Sequence, residues 1–153
     1  MRVDNAAQLQ GLRNMATLRP EITLDHLRER QRGRLPELLG VELVSLESGT
    51  LTGQLTVRPE VLAPNGFLHA ATVVGLADTC CGYACIAHLP EGAKNFTTVE
   101  LKSNHVGTAR EGVITARATA VHLGRSTHVW DAIVTNSEGK TIALFRCTQM
   151  ILY

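Results

Sequence analysis

One carboxylate lies alone in a long stretch of apolar and small residues, and it is the group in this chain best placed to do chemistry. Between Leu68 and Leu89 the sequence reads LHAATVVGLADTCCGYACIAHL, and Asp78 is its only Asp, Glu, Lys or Arg. A helix that is apolar on nearly every side belongs in a protein interior. A carboxylate there must be paired, hydrogen-bonded or shifted in pKa, because bare burial costs several kcal/mol. Asp78 is therefore the first candidate for a catalytic group.

Two other interpretations of this stretch involve no reaction. Its length approaches the roughly 20 apolar residues that span a bilayer. Asp78 lies near its middle, however, where a charge is costly, so we expect no membrane partner. Asp78 could instead be a structural carboxylate held by a hydroxyl group or a buried arginine, and the sequence leaves that alternative open.

Size and charge narrow the classes of function. The chain has 153 residues, enough for one domain with a hydrophobic core, and its net charge of +1 does not indicate a nucleic-acid partner. The first 20 residues lack the apolar segment of a secretory signal, which predicts a cytoplasmic protein with reduced cysteines.

No C-x-x-C pair occurs, so we expect no metal site, and we expect most cysteines to pack in the core as small hydrophobic residues. A reactive pair of Cys85 with His88, one helical turn away, stays open.

Periodicity and turn residues predict short helices, one long helix and six strands. The helix candidates are Leu24–Gln31 with Thr23 as its N-cap, a turn at Leu35–Leu39 closed by Gly40, and Ala70–Ala87. The strand candidates are Val41–Glu47, Leu51–Val57, Phe96–His105, Val113–Leu123, Ser126–Asn136 and Thr141–Leu152. The short breaks between the last four strands indicate hairpins, so these strands are expected to be antiparallel neighbours in chain order.

These lengths favour one architecture. A helix of about 18 residues spans roughly 27 Å, and strands of about 10 residues span roughly 33 Å. A curved antiparallel sheet can wrap such a helix, and the helix then needs no polar side. We therefore expect an α+β hot-dog fold over residues 37–153, preceded by an N-terminal arm and short helix over residues 1–36.

A family resemblance adds to this interpretation. The segment Asn65-Gly66-Phe67-Leu68-His69-Ala70-Ala71, followed by Leu76-Ala77-Asp78-Thr79, resembles the hot-dog acyl-CoA thioesterases, especially the phenylacetic-acid-degradation and 4-hydroxybenzoyl-CoA types. Their pattern is G-x-x-H-G-G with an acid nine residues after the His, as His69 and Asp78 are spaced here. Two positions depart from it. Ala70-Ala71 replaces Gly-Gly, and Ala63 stands where the family often has Asn or Gln, a role that Asn65 could take.

The resemblance implies an activity, a partner and a set of site residues. The activity is hydrolysis of an acyl-CoA or aryl-CoA thioester, with no cofactor besides the coenzyme A of the substrate. The assembly is a homodimer or a dimer of dimers, that is, a homotetramer. The catalytic candidates are Asp78 as nucleophile or general base, His69, Ala70, Ala71, Asn65 and Thr98, and the candidates for binding coenzyme A are Arg125, Ser126, Lys102 and Asn104.

Helix geometry supports the assembly independently. A helix N-terminus offers free N–H groups for an oxyanion, and Ala70 and Ala71 lie there. Ala70 and Asp78 are eight residues apart on one helix, roughly 12 Å by the helical rise, so they cannot both touch one carbonyl group. We therefore expect each site to combine Asp78 of one chain with the helix N-terminus of another.

Two other functions of the same fold are alternatives. A hydratase or dehydratase usually carries an N-P-x-H segment, which this sequence lacks. A non-enzymatic acyl-CoA-binding or regulatory protein would have no need of the acid at position 78.

Overall fold

The computed structural model describes residues 17–153, so the first part of the predicted N-terminal arm, residues 1–16, lies outside the described residues. The first two helices are α1, Leu24–Gln31, and α2, Leu35–Leu39. The side-chain oxygen of Thr23 accepts a hydrogen bond from the His26 N–H at 3.2 Å, which is the predicted N-cap. Helix α2 ends at Gly40, whose φ of 79° is accessible to glycine at little cost.

The long helix α3 spans Ala70–Ala87, as predicted from the sequence. It packs against five of the six strands and buries side chains on most of its circumference. Within residues 17–153 it is the one helix long and apolar enough to cross a membrane. Here 61% of it is buried inside the protein, which is where a core helix of this composition belongs.

The sheet has six antiparallel strands in the order β1-β2-β4-β5-β6-β3. The strands are β1 Glu42–Glu47, β2 Thr50–Thr56, β3 Asn95–His105, β4 Val113–Leu123, β5 Thr127–Thr135 and β6 Thr141–Leu152, with a 3₁₀ turn at Pro59–Val61 after β2. Inward side chains of the sheet and the buried side of α3 form one hydrophobic core. A single antiparallel sheet around a central helix is the hot-dog fold, so the predicted fold class is confirmed.

One predicted neighbour relation is wrong. Strand β3 does not pair with β4; it pairs with β6 along its whole length and forms an edge of the sheet. The chain after β3 is a crossover and not a hairpin, because it turns toward the start of α3, where the Leu68 N–H donates to the Ala109 carbonyl. It then enters β4 beside β2, where the Val57 N–H donates to the Gly112 carbonyl.

Helices α1 and α2 are anchored on the rest of the fold. Leu27 of α1 is fully buried in the common core. Leu39 of α2 lies directly over Gly75 of α3, where an added Cβ would come within 2.6 Å of its Cδ1 atom. The two helices are thereby held beside the exposed side of α3. The domain division at residue 36 stays a prediction.

Candidate active site

Asp78 lies on the side of α3 that the sheet leaves uncovered, in the wall of a cavity of about 350 Å³. Its Oδ1 atom is buried and has no hydrogen-bond partner among residues 17–153. Burial raises the pKa of the Asp78 carboxyl above its usual value of 3.8, because desolvation disfavours the charged form. The other residues lining this cavity, called here the Asp78 cavity, are Arg30, Arg34, Pro36, Thr79, Gly82, Tyr83, Ile86, Asn95 and Phe96.

Helical spacing explains why Asp78 faces this cavity. Gly82 follows it by four residues and Ile86 by eight, so the three share one side of α3. Thr79 also lines the cavity, but its hydroxyl group donates to the Gly75 carbonyl at 2.6 Å, so that proton is not directed at Asp78. The cavity therefore holds a carboxylate whose buried oxygen has no donor among the described residues.

The N-terminus of α3 opens into a different cavity, of about 320 Å³, which His69 and Ala71 line together with Leu39. Asp78 is not part of its lining, and Leu39 lies over Gly75, between the helix start and Asp78. Within one chain the carboxylate and the helix N-terminus therefore open into separate spaces.

His69 is the N-cap of α3. Its Nδ1 atom accepts a hydrogen bond from the Ala71 N–H at 2.9 Å, so Nδ1 carries no proton. Among the described residues the Ala70 N–H donates no hydrogen bond. Of the two expected oxyanion donors, only Ala70 is thus free in this conformation, and Ala71 becomes free if the His69 ring turns away.

Asn65 lies in the exposed turn that precedes the helix. Its Oδ1 atom accepts a hydrogen bond from the Phe67 N–H at 3.2 Å, an interaction that orders the turn. It lines neither the Asp78 cavity nor the cavity at the helix start.

Thr98 lies on the inward side of β3, paired with Gln149 of β6. Phe96, two residues earlier, is next to Gly82, since a Cβ there would lie 3.0 Å from the ring. Strand β3 runs in the direction opposite to α3. Thr98 is two residues after Phe96, about 6.6 Å further along the strand. Asp78 is four residues before Gly82, about 6 Å back along the helix in the same direction. By this estimate Thr98 is level with Asp78 along the helix axis, but it does not line the Asp78 cavity and no hydrogen bond joins the two residues.

A β-bulge separates Thr98 from Lys102 and Asn104. The register of β3 against β6 shifts between Thr98 and Glu100, leaving Val99 unpaired. Regular alternation would put Thr98, Lys102 and Asn104 on the same side of the strand. The extra residue in the bulge moves the residues after it to the opposite side. Lys102 and Asn104 consequently lie on the outer face of the sheet, in a cleft of about 520 Å³ with Arg117, the Asp131–Arg146 ion pair and neighbouring apolar side chains.

Arg125 and Ser126 form the exposed turn between β4 and β5. The Tyr153 hydroxyl group donates to the Arg125 carbonyl at 2.8 Å, and the Arg125 guanidinium lies 5.7 Å from the centre of the Tyr153 ring. The Ser126 carbonyl accepts the N–H of Ile151, which pairs with Phe96 on the next strand. Ser126 is thus two strand spacings, about 10 Å, from Phe96, at the same end of the sheet as the Asp78 cavity.

Sequence reasoning missed two arginines of the Asp78 cavity, Arg30 and Arg34. They belong to the segment predicted as an N-terminal arm and short helix, and the arginines themselves give no indication that α1 and α2 fold back over α3. The apolar side of the predicted helix, formed by Leu24 and Leu27, was the available signal that α1 packs on the core, and Leu27 is fully buried there.

A buried polar cluster beside the site was also missed. Both amide atoms of Gln149, the Nε2 atom of His128 and the Nε1 atom of Trp130 are buried without partners among residues 17–153. Gln149 pairs with His128 across β5 and β6, and its Nε2 atom would lie 3.9 Å from a Cβ at Gly82. The alternation of β5 and β6, which puts His128 and Gln149 on the same side as buried residues, was the only sequence signal for this cluster.

The cysteines are poor nucleophiles. All four are buried, and desolvation raises the pKa of the Cys80 thiol to about 12 and that of Cys85 further. The partner of Cys85 is the Nδ1 atom of His128, at 3.4 Å, and burial lowers the pKa of that histidine to about 4. The Nδ1 atom of His88 is hydrogen-bonded to the Ala84 carbonyl instead.

Within residues 17–153 no three His, Cys, Asp or Glu side chains are grouped to hold a metal ion.

Comparison with known proteins agrees with this fold. Residues 65–143 match the family described as Thioesterase superfamily. A 1,4-dihydroxy-2-naphthoyl-CoA hydrolase of Listeria monocytogenes is 34% identical over 74% of this chain and 92% of its own. The acyl-coenzyme A thioesterase PaaI of Escherichia coli is 30% identical over 71% of this chain and 75% of its own.

Solved structures give the same result. A mutant thioesterase from Pseudomonas aeruginosa superposes with a TM-score of 0.84 at 30% identity, covering 88% of this chain and 97% of its own. A thioesterase from Haemophilus influenzae superposes with a TM-score of 0.83 at 27% identity, covering 88% and 94%. The chain belongs to the thioesterase superfamily. It is an enzyme, a thioester hydrolase.

Proposed function

We propose that this enzyme hydrolyses acyl-CoA or aryl-CoA thioesters to the free acid and coenzyme A, with Asp78 as the group that attacks or activates water. The observation that carries the proposal is the Asp78 carboxylate. Among residues 17–153 it is the only acid that lines its cavity, and its buried oxygen has no donor there. The names of the relatives, a naphthoyl-CoA hydrolase and an acyl-CoA thioesterase, support a coenzyme A ester as substrate.

Asp78 can act in either of two ways. As a general base it takes a proton from water while the water oxygen bonds to the thioester carbon, and the C–S bond then breaks to release the coenzyme A thiolate. As a nucleophile it bonds to that carbon itself, expels the thiolate and forms an anhydride that water hydrolyses. Both need the ionised carboxylate. Desolvation raises its basicity and brings its pKa closer to neutral pH, where a general base works best.

In either route the carbonyl oxygen of the thioester becomes negatively charged when its carbon is attacked. This oxyanion needs N–H donors, which we assign to Ala70 and Ala71 of a second subunit. The cavity at the helix start, which Ala71 lines, is separate from that of Asp78, so in this proposal a complete site combines two chains. Strand β3 favours such a dimer, because it is a long edge strand with one unpaired side and its first residues line the Asp78 cavity. Two-fold association there gives two equal sites, and pairing of such dimers gives a homotetramer. Turning of the His69 ring would release the second donor.

We propose the following roles for the remaining candidates. Thr98 orients the attacking water, and Asn65 orders the turn before α3. Arg125 and Ser126 bind coenzyme A at the end of the sheet that the Asp78 cavity approaches, where an arginine suits a phosphate group. Lys102 and Asn104 lie on the outer face and would reach only the distal phosphates of a coenzyme A that extends around the edge strand.

The direct experiment is release of free thiol from a panel of aryl-CoA and alkyl-CoA esters. We expect thiol release with at least one ester, at a rate that saturates with substrate concentration. Absorbance of α,β-unsaturated acyl-CoA esters, followed in parallel, would detect hydration of the double bond. Hydration without thiol release, or no thiol release from any ester, would refute the proposed function.

A further inference from the structure

Two arginines of the segment that carries α1 and α2 line the Asp78 cavity together with residues of α3. Arg30 is in the last turn of α1, and Arg34 is the residue before α2, where it is the helix N-cap. Both line the cavity, and Asp78 is its only acidic lining residue in the part of the chain that the structure describes. Burial of Leu27 and the contact of Leu39 with Gly75 fix the two helices, so the arginines are anchored at their backbones.

These two arginines differ from their neighbours in lacking a counter-ion. In the same segment, Arg28 pairs with Asp25 at 2.7 Å and Arg32 pairs with Glu29 at 2.9 Å. Among residues 17–153, Arg30 has no ion pair or side-chain hydrogen bond, and Arg34 donates only to the Gly33 carbonyl, at 3.2 Å. Two positive charges therefore line the cavity without a carboxylate partner among the described residues.

The arginines do not act by neutralising Asp78. No ion pair within 4.0 Å joins either of them to its carboxylate, and the pKa of Asp78 is raised by desolvation, whereas a close guanidinium would lower it. Arg30 instead acts on Tyr83, where its charge works against the rise that burial causes in the tyrosine pKa. Tyr83 is five residues beyond Asp78, about 7.5 Å along α3, in the direction of the Arg125 turn.

We propose that Arg30 and Arg34 form an anion-binding subsite that holds a negatively charged group of the substrate while its thioester lies at Asp78. Two chemical groups share the required chemistry: a phosphate of coenzyme A, or a carboxylate at the far end of the acyl group. A guanidinium group binds either through paired, charge-assisted hydrogen bonds. The proposal rests on the proposed function for the identity of the substrate, and it gives the N-terminal helices a role in binding.

The first test measures binding and needs no turnover. Coenzyme A is titrated calorimetrically into the wild type, Arg30→Gln, Arg34→Gln and the double variant, with Arg32→Gln as the matched control. Arg32→Gln removes the same charge from the same segment outside the cavity lining. If the subsite holds a phosphate, each cavity variant weakens binding about tenfold or more, and the control is unchanged. Added salt should reduce the difference.

The second test separates the two sources of charge with three thioesters. They are a neutral acyl-CoA, an acyl-CoA with a terminal carboxylate, and that carboxylated acyl group on N-acetylcysteamine, which has no phosphate. A phosphate subsite raises KM in the double variant for both coenzyme A esters and leaves the third unchanged. A carboxylate subsite raises KM for the second and third only. In both cases kcat changes little, because the arginines do not contact the reacting carbon.

The outcomes distinguish this proposal from the proposed function. If the wild type hydrolyses none of the thioesters, the proposed function fails, and the same intact thioesters are titrated in place of KM measurements. If the double variant matches Arg32→Gln for coenzyme A and for all three thioesters, or if the wild type binds none of them, the subsite is refuted. Equal circular dichroism spectra and unfolding midpoints for all variants ensure that a loss of binding is not a loss of fold.

Discussion

Replacement of Ala70 by proline removes one proposed oxyanion donor and little else. Ala70 is the first residue of α3, where proline is well tolerated, since this N–H makes no intrahelical hydrogen bond. The preceding residue, His69, already has the extended backbone that a following proline requires, with φ of −67° and ψ of 134°. We expect Ala70→Pro to fold normally. Loss of one oxyanion donor should lower kcat about 100- to 1000-fold.

Mixing Ala70→Pro chains with Asp78→Asn chains tests which subunit supplies each group. Random association of equal amounts makes about half of the dimers mixed, and two-fold symmetry gives each of them two sites. If Asp78 and Ala70 of one site come from different chains, one site has both defects and the other has neither. The mixture should therefore recover about one quarter of wild-type activity per mole of protein.

The assay is thiol release before and after subunit exchange, with exchange verified by mass spectrometry of differently tagged chains. Each variant exchanged with itself is the control and should stay inactive. Recovery to near the expected quarter supports the two-chain site. Complete exchange without recovery would refute it, because both groups would then act within one chain.

Three further predictions concern stability. Desolvation raises the pKa of Asp78 in the folded protein, so ionisation of this carboxyl destabilises the fold as pH rises above 3.8 through the raised pKa. The Asp78→Asn variant should therefore unfold at a higher urea concentration than the wild type at pH 7. A difference in urea midpoint that persists below pH 3.8 would contradict this. Gln149→Met replaces an unpartnered buried amide and should leave the free energy of unfolding unchanged or raise it by about 1–2 kcal/mol. Its control, Gln31→Met, loses a 2.9 Å hydrogen bond to the Val41 carbonyl and should lower that free energy by about 1 kcal/mol; a comparable loss in Gln149→Met would mean that its amide has a partner after all. His69→Ala should lower the free energy of unfolding by about 1 kcal/mol because it removes the N-cap, whereas His69→Asn should not, since asparagine supplies an acceptor. Equal stability of the two variants would contradict the capping role of His69.

The parts of the fold predicted from the sequence are those that local patterns determine. The limits of α3 follow from an apolar run that begins after His69 and ends before Pro90. The strand limits follow from alternation and turn residues. The position of β3 does not, because its pairing with β6 joins residues that are about 40 to 60 positions apart, and no local signal distinguishes a crossover from a hairpin.

The candidate site shows the same limit. Asp78 could be selected from the sequence because a charge in an apolar helix needs a reason. Alternation alone would group Thr98 with Lys102 and Asn104, and the single unpaired residue Val99 separates them onto opposite faces. The arginines of the Asp78 cavity reach it only because α1 and α2 pack on α3, a tertiary contact that their own sequence does not encode locally.

The most direct test of the central claim is the rate at which Asp78→Asn releases thiol from the best acyl-CoA substrate at saturation. Asparagine keeps the shape of the side chain and cannot serve as base or nucleophile. The control is Asp25→Asn, which breaks an exposed ion pair with Arg28 and should change little. If Asp78 performs the chemistry, kcat falls at least about 100-fold while the control stays near wild type. A variant that keeps kcat within a few-fold of the wild type would contradict the account.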